Sequence, residues 1–368
     1  MATLVKQDVG IERLEVSAYT VPTDRPESDG TAQWNATTLI LVQAHGGEET
    51  GLGYTYGDLA SGTVIRSVLA DVAQSRDAMS VTSTWDAMAR VCRNLGRPGV
   101  ASMAIAAVDT ALWDLKARLL GLPLATLLDA ARAEVPIYGS GGFTSYSDEQ
   151  LASQLGGWVQ RGIPRVKMKV GRSPDRDVER VRVAREAIGP DTELFVDANG
   201  ALSRKQALFY AERFAEHGVR WFEEPVSSDD LEGLRLLRDR VPAGMEIAAG
   251  EYGYMLPYFE QMLVAGAVDC LQADATRCEG ITGFLRVAAL CQARSLELSA
   301  HCGPSIHVHP CCAIGSLRHL EYFHDHARVE ALLFDGTLEP TDGVLRPDFT
   351  RPGNGLKLKH PDAEPYAV

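Results

Sequence analysis

Residues 165–200 read RVKMKVGRSPDRDVERVRVAREAIGPDTELFVDANG. This stretch contains two short apolar runs, Arg165–Val170 and Glu193–Val196, and a segment at helical spacing, Pro174–Ile188, lies between them. A strand-like run, an amphipathic helix and a second strand-like run together predict a parallel βαβ unit. The organisation of the whole chain follows from how often this unit recurs.

The same alternation continues on both sides of this stretch, with helical patterns such as Ser203–His217, Ser228–Val241 and Gly280–Ala293 between apolar runs. The runs are Val135–Tyr138, Arg165–Val170, Glu193–Val196, Val219–Phe222, Met245–Ala249, Val268–Gln272, Leu296–Ser299 and Leu317–Leu320. Eight repeats of strand and helix predict an α/β fold with a (β/α)8-type barrel. The pattern alone also permits a doubly wound open sheet.

The first part of the chain has a different pattern. Ile11–Tyr19 and Thr37–Gln43 are typical of strands, and Thr84–Leu95 and Val100–Leu120 carry apolar residues at helical spacing. We therefore predict an N-terminal α+β capping domain at residues 1–125 and a barrel at residues 126–339. A Pro- and Gly-rich tail, about 340–368, is expected to return to the first domain.

Two segments of the capping domain are rich in polar and turn-forming residues. Pro22–Asn35 reads PTDRPESDGTAQWN, which predicts an exposed, mobile loop, and Gly51–Gly62 is a second turn-rich segment.

Charge, hydropathy and cysteine content indicate which partners and which compartment the sequence favours. The 368 residues carry a net charge of -13, which argues against nucleic acid or an anionic membrane as a partner but permits an anionic small molecule beside a metal. No apolar run approaches a membrane span, and MATLVKQDVGIERLEV lacks a signal-peptide core. Seven cysteines, an odd number in a long chain, favour reduced thiols and a cytoplasmic location over a disulfide framework.

A chemically active side chain lies near the end of seven of the eight runs or directly after it. These side chains are Lys169, Asp197, Glu223, Glu251, Asp274, His301 and Glu321. Successive members are 28, 26, 28, 23, 27 and 20 residues apart, which is about one β/α unit each time. Because the carboxyl ends of all barrel strands open on one face, we expect these side chains to converge in one mouth.

Three of them, Asp197, Glu223 and Glu251, offer only carboxylate oxygens. Oxygen donors favour Mg²⁺, with Mn²⁺ as a substitute, over Zn²⁺. The alternative for each acid taken singly is a helix N-cap or first-turn acid, since such residues often follow strands.

The remaining members predict acid–base chemistry. Lys167 and Lys169 point to the same side of a strand, and each is expected to lower the pKa of the other, unless that side is exposed. Asp274 and His301 follow neighbouring runs, and a carboxylate beside an imidazole orients it as an acid or base. Glu321 can hydrogen-bond to a substrate carboxylate if it is protonated, or it is an ordinary surface acid.

One further cluster suggests a different metal. His301, Cys302, His307, His309, Cys311 and Cys312 lie within twelve residues. Their spacing matches no usual structural zinc pattern, and the two adjacent cysteines are more typical of a buried helix.

Taken together, these residues resemble the enolase superfamily, and specifically the mandelate racemase branch of the mandelate racemase/muconate lactonizing enzyme family. The resemblance covers nearly the whole chain. It rests on Lys167-Met168-Lys169, Val196-Asp197-Ala198-Asn199-Gly200, Glu223-Glu224-Pro225, Gly250-Glu251, Asp274, His301, and Ala107–Leu115 followed by Gly121-Leu122-Pro123. One departure is Cys278-Glu279-Gly280, where a Gly-Gly pair is common in the family.

The resemblance implies an enolase-like, modified TIM barrel and a role for each residue. Asp197, Glu223 and Glu251 would hold Mg²⁺, Lys169 would be the base on one face of the substrate, and Lys167 would assist it. His301, oriented by Asp274, would act on the opposite face, Glu321 would support the substrate carboxylate, and Asn199 would contact the substrate.

The segment Pro22–Asn35, which contains Trp34, and the neighbouring Tyr54–Asp58 would set specificity, so Trp34 and Tyr54 are predicted substrate contacts. The family also implies a homo-oligomer, either a dimer or an octamer.

The reaction implied is removal of the proton α to a carboxylate through an enediolate intermediate. Its most favoured outcome here is dehydration of an acid sugar, an aldonate or aldarate, because the His–Asp pair suits loss of a β-hydroxyl. The alternatives are racemisation or epimerisation of a 2-hydroxy acid and cycloisomerisation of a sugar-acid lactone. A non-catalytic barrel is a further alternative, although none of the expected metal ligands or bases is missing.

Overall fold

The N-terminal part of the computed structural model, which describes residues 9–368, is an antiparallel sheet covered by helices. Its three strands, in the order β1-β2-β3, are β1 Arg13–Ser28, β2 Gln33–Gly46 and β3 Glu49–Tyr56. Its helices are α1 Leu59–Val64, α2 Ala70–Ala73, α3 Val81–Val91, α4 Val100–Leu119 and α5 Leu124–Leu127, with a π turn at Ile65–Leu69 and a 3₁₀ turn at Cys92–Asn94.

The second part is a closed parallel barrel. Its strands are β4 Val135–Gly141, β5 Arg165–Lys169, β6 Glu193–Asp197, β7 Val219–Glu223, β8 Glu246–Ala249, β9 Cys270–Ala273, β10 Glu297–Ala300 and β11 Leu317–Phe323. Each strand pairs with the next in chain order, and β11 pairs with β4 to close the ring. The predicted barrel is therefore confirmed, and the open sheet is excluded.

Helices surround the barrel and connect its strands. They are α6 Asp148–Gln160, α7 Pro174–Ile188, α8 Arg204–Ala215, α9 Leu231–Arg238, α10 Leu256–Ala265, α11 Gly280–Ala293, α12 Pro304–Cys312 and α13 His324–Leu333. The chain ends with β12 Phe334–Asp335, β13 Val344–Leu345, β14 Lys357–Leu358, α14 His360–Ala363 and a 3₁₀ turn at Glu364–Tyr366. Within residues 9–368, no helix has the length and apolar character that a bilayer crossing needs.

The segment Pro22–Asn35 is a β-hairpin, so the prediction of a loop was wrong, although most of its residues are exposed as predicted. The ladder of β1 and β2 has an irregularity between Pro22 and Glu27 and then continues to Ser28. The carboxylate of Asp29 closes the turn, because it accepts hydrogen bonds from the backbone N–H groups of residues 31 and 32, both at 2.6 Å. Glu27 is fully buried and accepts a 2.8 Å hydrogen bond from the indole of Trp34. Polar residues that look like loop residues in the sequence are thus paired with each other.

The tip of this hairpin packs directly on the mouth of the barrel. A Cβ atom added to Gly30 would lie 2.3 Å from the Ala198 carbonyl oxygen and 2.8 Å from both the Val170 carbonyl oxygen and Ala201 Cβ. The absence of a side chain at Gly30 therefore allows the capping sheet to lie on the backbone that follows β5 and β6.

Gly30→Ala is expected to lower the free energy of unfolding by about 1–3 kcal/mol, since two of the three crowded atoms belong to the backbone and cannot rotate away. Urea unfolding checks this. Gly157→Ala is the matched control, because a Cβ there meets nothing within 4 Å and lies in α6. Equal stability of the two variants would show that the hairpin tip does not depend on this close approach.

Half of the second segment predicted to be turn-rich, Gly51–Gly62, is strand β3, and α1 begins after Asp58, whose side chain accepts a hydrogen bond from Ala60 N–H. The two glycines in this strand, Gly51 and Gly53, serve close packing rather than turns. A Cβ at Gly51 would lie 2.2 Å from the Ala111 carbonyl oxygen of α4.

Helix α4 also connects the capping sheet to the barrel. The Asp109 carboxylate is buried and accepts hydrogen bonds from Thr282 N, at 2.9 Å, and Thr282 Oγ1, at 2.7 Å, at the start of α11. Trp113 Nε1 donates to Thr282 Oγ1 at 2.9 Å. The conspicuous AVDTALWDL segment at residues 107–115 is therefore a contact between the two parts of the molecule.

The C-terminal segment contacts the N-terminal part. Asn354 N–H donates to the Asp114 carboxylate at 2.6 Å, Asn354 Nδ2 donates to the Leu52 carbonyl at 2.9 Å, and Val368 N–H donates to the Ala18 carbonyl at 3.1 Å.

A buried histidine in α12 makes stability sensitive to acid. His309 Nε2–H donates to the Asn354 carbonyl at 3.1 Å, and burial lowers the pKa of His309 from 6.5 to about 4. Below pH 6.5 the unfolded chain takes up a proton that the folded chain does not accept until about pH 4. The free energy of unfolding therefore falls as the pH drops through this window, by about 2 kcal/mol between about pH 7.5 and about pH 5.

His309→Gln, which retains a side-chain donor, is expected to remove that part of the pH dependence. Urea unfolding at the two pH values measures it, with His360→Gln, at an exposed position, as control. An unchanged pH dependence in His309→Gln would contradict the assignment.

Candidate active site

Three carboxylates from consecutive strands meet at the mouth of the barrel. Asp197 and Glu223 are the last residues of β6 and β7, and Glu251 follows β8 by two residues. Each offers an oxygen within 4.8 Å of the others, and all three side chains are buried. Strand register produces this alignment, because Lys169, Asp197 and Glu223 are successive Cα partners across β5, β6 and β7.

Two buried lysines from β5 bind this acid cluster. Lys169 Nζ lies 2.5 Å from Asp197 Oδ2, and Lys167 Nζ lies 2.5 Å from Glu223 Oε1 and 2.9 Å from Glu321 Oε1. Burial acts to lower the pKa of Lys169 and the charge of Lys167 lowers it further, but the carboxylates, led by Asp197, outweigh both effects and raise it above its usual value. Lys167 lowers the pKa of Lys169, as the sequence predicts, but the carboxylates raise this pKa by more.

The predicted pair of Asp274 and His301 is formed on the other flank of the cluster. Asp274 Oδ2 lies 2.9 Å from His301 Nδ1, while Asp274 Oδ1 accepts two 2.7 Å hydrogen bonds from Thr276. His301 Nε2 is 3.0 Å from Glu251 Oε2. Burial would raise the pKa of Asp274, but the hydrogen bond from His301 and neighbouring positive charges hold it below its usual value.

Glu321 lies in β11, close to both Lys167 and His301. Burial would raise its pKa, but Lys167 and then His301 lower it well below the usual range. One of its oxygens accepts a 3.2 Å hydrogen bond from the Cys302 N–H. Glu321 therefore connects the lysine flank and the histidine flank of the site.

The donor set suits a hard divalent cation. The three clustered acids supply only oxygen atoms, which is the ligand chemistry of Mg²⁺. Glu224, next to Glu223, is buried and neither of its carboxylate oxygens has a hydrogen-bond partner among the described residues. Burial, followed by the charges of Glu251 and Asp197, raises the pKa of Glu224 well above its usual value. A cation among these acids would relieve their mutual repulsion.

A cavity of about 300 Å³ opens beside the cluster, between the capping sheet and the barrel. Of the predicted substrate contacts, Trp34 and Asn199 line it. Tyr54 does not line it, because its side chain is fully buried and its hydroxyl donates to Glu330 at 2.7 Å. Tyr56, the last residue of β3, lines the cavity instead.

The cavity also contains residues that the sequence analysis did not name as substrate contacts. They include Asp29, Thr37, Tyr252, Arg277, Cys302 and His326. Sequence position could have pointed to two of them as cavity residues, since Arg277 comes three residues after Asp274 and Cys302 directly follows His301. The others come from the capping sheet and its hairpin turn, from the loop after β8 and from α13, and the sequence does not specify how these parts approach the cavity.

The backbone is strained where it enters the site. Asn199, Glu224 and Cys302 have φ angles of 46°, 38° and 52°, which non-glycine residues rarely adopt. All three closely follow the end of a barrel strand. Strain of this kind persists where surrounding structure holds it, and it is concentrated at functional sites.

Comparison with known proteins identifies the family. Residues 15–129 match the family described as mandelate racemase / muconate lactonizing enzyme, N-terminal domain, and residues 150–363 match the enolase C-terminal domain-like family. The chain belongs to the mandelate racemase/muconate lactonizing enzyme family. The resemblance predicted from the sequence is thus confirmed.

Individual members of the mandelate racemase/muconate lactonizing enzyme family match over nearly their whole length. A curated relative, the 3,6-anhydro-alpha-L-galactonate cycloisomerase of Streptomyces coelicolor, is 33% identical over 95% of this chain and 97% of its own. The crystal structure of a mandelate racemase/muconate lactonizing enzyme-like protein from Rubrobacter xylanophilus has 63% identity and a TM-score of 0.96, covering 97% of this chain and 99% of that one.

A third match carries ligands. The L-talarate/galactarate dehydratase of Salmonella typhimurium LT2, whose crystal structure contains Mg and L-lyxarohydroxamate, is 28% identical with a TM-score of 0.90. The match covers 100% of this chain and 95% of that one. As a member of this family, the chain is an enzyme of Mg²⁺-dependent chemistry on small carboxylates.

Proposed function

We propose that this protein removes the proton α to the carboxylate of an acid sugar, an aldonate or aldarate, and then expels the β-hydroxyl, so that the reaction is a dehydration. The observation that carries the proposal is the arrangement of the acid cluster between two different acid–base groups. Lys169 lies on the Asp197 side of the cluster, and His301 lies on the Glu251 side.

In this proposal Asp197, Glu223 and Glu251 hold Mg²⁺, and their all-oxygen donor set also permits Mn²⁺ as a substitute. When bound, Mg²⁺ supplies positive charge that stabilises negative charge developing on the substrate carboxylate and that lowers the pKa of Lys169. Lys167, which contacts both Glu223 and Glu321, is the positioning residue that holds these two carboxylates in place.

Lys169 Nζ is proposed to act as base on one face of the substrate. It is the only lysine that lines the cavity among the described residues, and its side chain is 7% exposed, enough to reach a substrate while remaining shielded from bulk water. A base positioned in this way typically contributes a factor of about 10²–10⁴.

His301 is proposed to act from the other face. Because Nδ1 is bound to Asp274, which Thr276 in turn holds, Nε2 is the nitrogen that faces the interior of the site. In a dehydration His301 Nε2 delivers its proton to the departing β-hydroxyl, which leaves as water, and the enol product becomes a 2-keto-3-deoxy acid. Glu321, once it has taken up a proton, is proposed to hydrogen-bond to the substrate carboxylate, and Asn199 is proposed to contact a neighbouring hydroxyl.

The cavity lining favours a polyhydroxy acid. It combines charged groups, Asp29 and Arg277, with hydroxyl and amide groups, while Trp34 gives one apolar wall. Closely packed hydrogen-bonding groups discriminate against substrates that cannot pair with them. Relatives with dehydratase activity on talarate or galactarate, arabinonate and L-rhamnonate support the same class of substrate.

A second candidate function is cycloisomerisation of a sugar-acid lactone. It is favoured by the 33% identity to a cycloisomerase, and it needs the same α-proton chemistry with a ring oxygen as the leaving group. Racemisation or epimerisation of a 2-hydroxy acid is a third outcome, because acid–base groups on both flanks also permit reprotonation from the opposite face.

Product analysis distinguishes these outcomes. The protein is incubated with Mg²⁺ and a panel of aldonates, aldarates and their lactones, and products are examined by mass spectrometry and with a carbonyl reagent. Dehydration gives a carbonyl-positive acid that has lost one water. An isomer of unchanged mass would overturn dehydration. A new ketone group in that isomer would support cycloisomerisation, because loss of the ring oxygen leaves an enol that becomes a keto acid, and absence of a new ketone would support epimerisation.

We also propose a cytoplasmic homo-oligomer, a dimer or an octamer. The seven free, buried cysteines support a reducing compartment. The oligomeric state is supported by membership of the family and is measured by light scattering.

A further inference from the structure

Three donor atoms of different kinds lie side by side at the ends of β10 and β11. His301 Nε2 and Cys302 Sγ are 3.2 Å apart, Cys302 Sγ and Glu321 Oε2 are 3.4 Å apart, and His301 Nε2 and Glu321 Oε2 are 3.6 Å apart. All three residues are buried, and Cys302 lines the cavity. The proposed dehydration makes no use of the thiol.

These separations are those of a zinc site. Zinc binds sulfur at about 2.3 Å and nitrogen or carboxylate oxygen at about 2.0–2.2 Å, so a tetrahedral arrangement puts the donor atoms roughly 3.3–3.6 Å apart. The three observed distances lie in or next to that range. A cation could therefore be bound here with little movement of the backbone.

The orientation of the imidazole is a second, independent observation. A histidine that binds a metal almost always donates its other ring N–H to a carboxylate or carbonyl group. Asp274 Oδ2, held in place through Thr276, is 2.9 Å from His301 Nδ1, so Nε2 points away from Asp274. Once Nε2 has released its proton, its lone pair is directed away from Asp274 and towards the other two donors. Nε2 also lies 3.0 Å from Glu251 Oε2, which adds negative charge around the same position.

The other histidines and cysteines of residues 301–312 either have hydrogen-bond partners outside this group of donors or are buried in α12. His307 Nε2 accepts a 2.7 Å hydrogen bond from Ala275 N–H, and His309 is bound to the Asn354 carbonyl. Cys311 and Cys312 are buried in α12. The third donor comes instead from Glu321, in the next strand.

We propose that His301, Cys302 and Glu321 form a second metal site, selective for a borderline-soft divalent cation of the Zn²⁺ class. Its sulfur and nitrogen donors distinguish it from the all-oxygen cluster, which prefers Mg²⁺. The cavity beside Cys302 leaves space for a water molecule as the fourth ligand. Zn²⁺ bound here occupies the lone pair of His301 Nε2 and inhibits the enzyme. The inhibition rests on the proposed function of His301, whereas the binding does not.

Cadmium, which prefers the same donors, gives a readout that does not depend on activity. The full-length protein is titrated with Cd²⁺ in excess Mg²⁺, and the ultraviolet charge-transfer absorption of a thiolate–cadmium bond is recorded. We expect one equivalent to saturate the signal in the wild type and in Cys92→Ser, a control at a buried thiol of the capping domain. Cys302→Ser is expected to lose the signal. No saturable signal in the wild type, or full signal in Cys302→Ser, would overturn the site.

A measurement on the unaltered protein covers the case in which Cys302→Ser does not fold. Alkylation of Cys302 by a small thiol reagent is followed by mass spectrometry with and without Zn²⁺ in excess Mg²⁺. We expect Zn²⁺ to slow alkylation of Cys302 at least about tenfold, because the free thiolate is the nucleophile and a thiolate bound to the metal cannot attack the reagent. Alkylation at an unchanged rate would contradict Zn²⁺ binding.

Inhibition is then measured separately. Zn²⁺ is expected to inhibit turnover of the wild type, and Cys302→Ser is expected to require at least about tenfold more Zn²⁺ for the same fractional inhibition. Binding of cadmium without inhibition by Zn²⁺ would leave the metal site standing and would contradict the proposed role of His301.

Discussion

Glu223→Gln is expected to abolish stabilisation by Mg²⁺ and to reduce turnover by at least about 10²–10³-fold. A ligand that binds only the folded state stabilises it by about 2.7 kcal/mol at a concentration of 100 times its Kd. Stabilisation of this size by Mg²⁺ raises the thermal unfolding midpoint of the wild type by several degrees. Glu223 is fully buried between Asp197 and Lys167, so the neutral amide removes one negative charge from the cluster and one oxygen donor for the cation. The loss of a group that stabilises developing charge costs about 10²–10³ in rate.

Thermal unfolding with and without Mg²⁺ measures the first effect, and steady-state kinetics measures the second. Glu232→Gln is the matched control, because the Glu232 side chain is 91% exposed and lies outside the site. If Mg²⁺ stabilised Glu223→Gln as much as it stabilises the wild type, Glu223 would not be a ligand.

Lys169→Met and His301→Asn are each expected to lower kcat by about 10²–10⁴-fold while KM changes much less, because each removes a group that moves a proton. They should differ in one respect. A substrate of one configuration presents its α-proton to only one flank of the site, so only one of the two variants should also lose exchange of that proton with solvent.

Steady-state kinetics on the substrate identified by product analysis gives kcat and KM, and proton NMR in D₂O follows the exchange. His360→Asn, at an exposed position, is the control for the histidine change. Wild-type kcat in either variant would exclude that residue from proton transfer. Loss of exchange in both would mean that the two groups do not act on separate faces.

The barrel could be predicted because its strands have a simple local signature. A strand that is covered on both faces reads as a short apolar run, and β5, β6 and β7 fall directly on the predicted runs. The positions of the site residues follow from the same fact, since the last residue of each strand lies at the mouth. The spacing of about one β/α unit therefore predicted, without any knowledge of tertiary structure, that Lys169, Asp197 and Glu223 lie side by side at the mouth, as they do.

The capping domain could not be predicted in the same way, because its burial is decided by the barrel. Glu27 and Asp29 have the composition of a solvent-exposed loop, yet the hairpin that carries them is covered where Gly30 meets the backbone of the barrel. Gly51 suggests a turn, but the turn signal is false because helix α4 packs on that strand.

Tyr54 illustrates the same limit at the site. Tyr54 and Tyr56 lie on the same face of β3 and both hydroxyls reach Glu330, at 2.7 Å and 3.3 Å. Only the second lines the cavity, because the cavity lies at the end of the strand and Phe334 stacks on Tyr54. A sequence pattern gives the face of a strand but not how far along it the substrate lies.

The most direct test of the account is exchange of the α-proton in D₂O. The protein is incubated with a panel of aldonic, aldaric and 2-hydroxy acids, with and without Mg²⁺, and the α-proton resonance of each acid is followed by NMR. The account predicts that at least one acid loses this resonance, through exchange or conversion, only when both protein and Mg²⁺ are present. Retention of the α-proton by every acid, with a protein that is folded and stabilised by Mg²⁺, would contradict it.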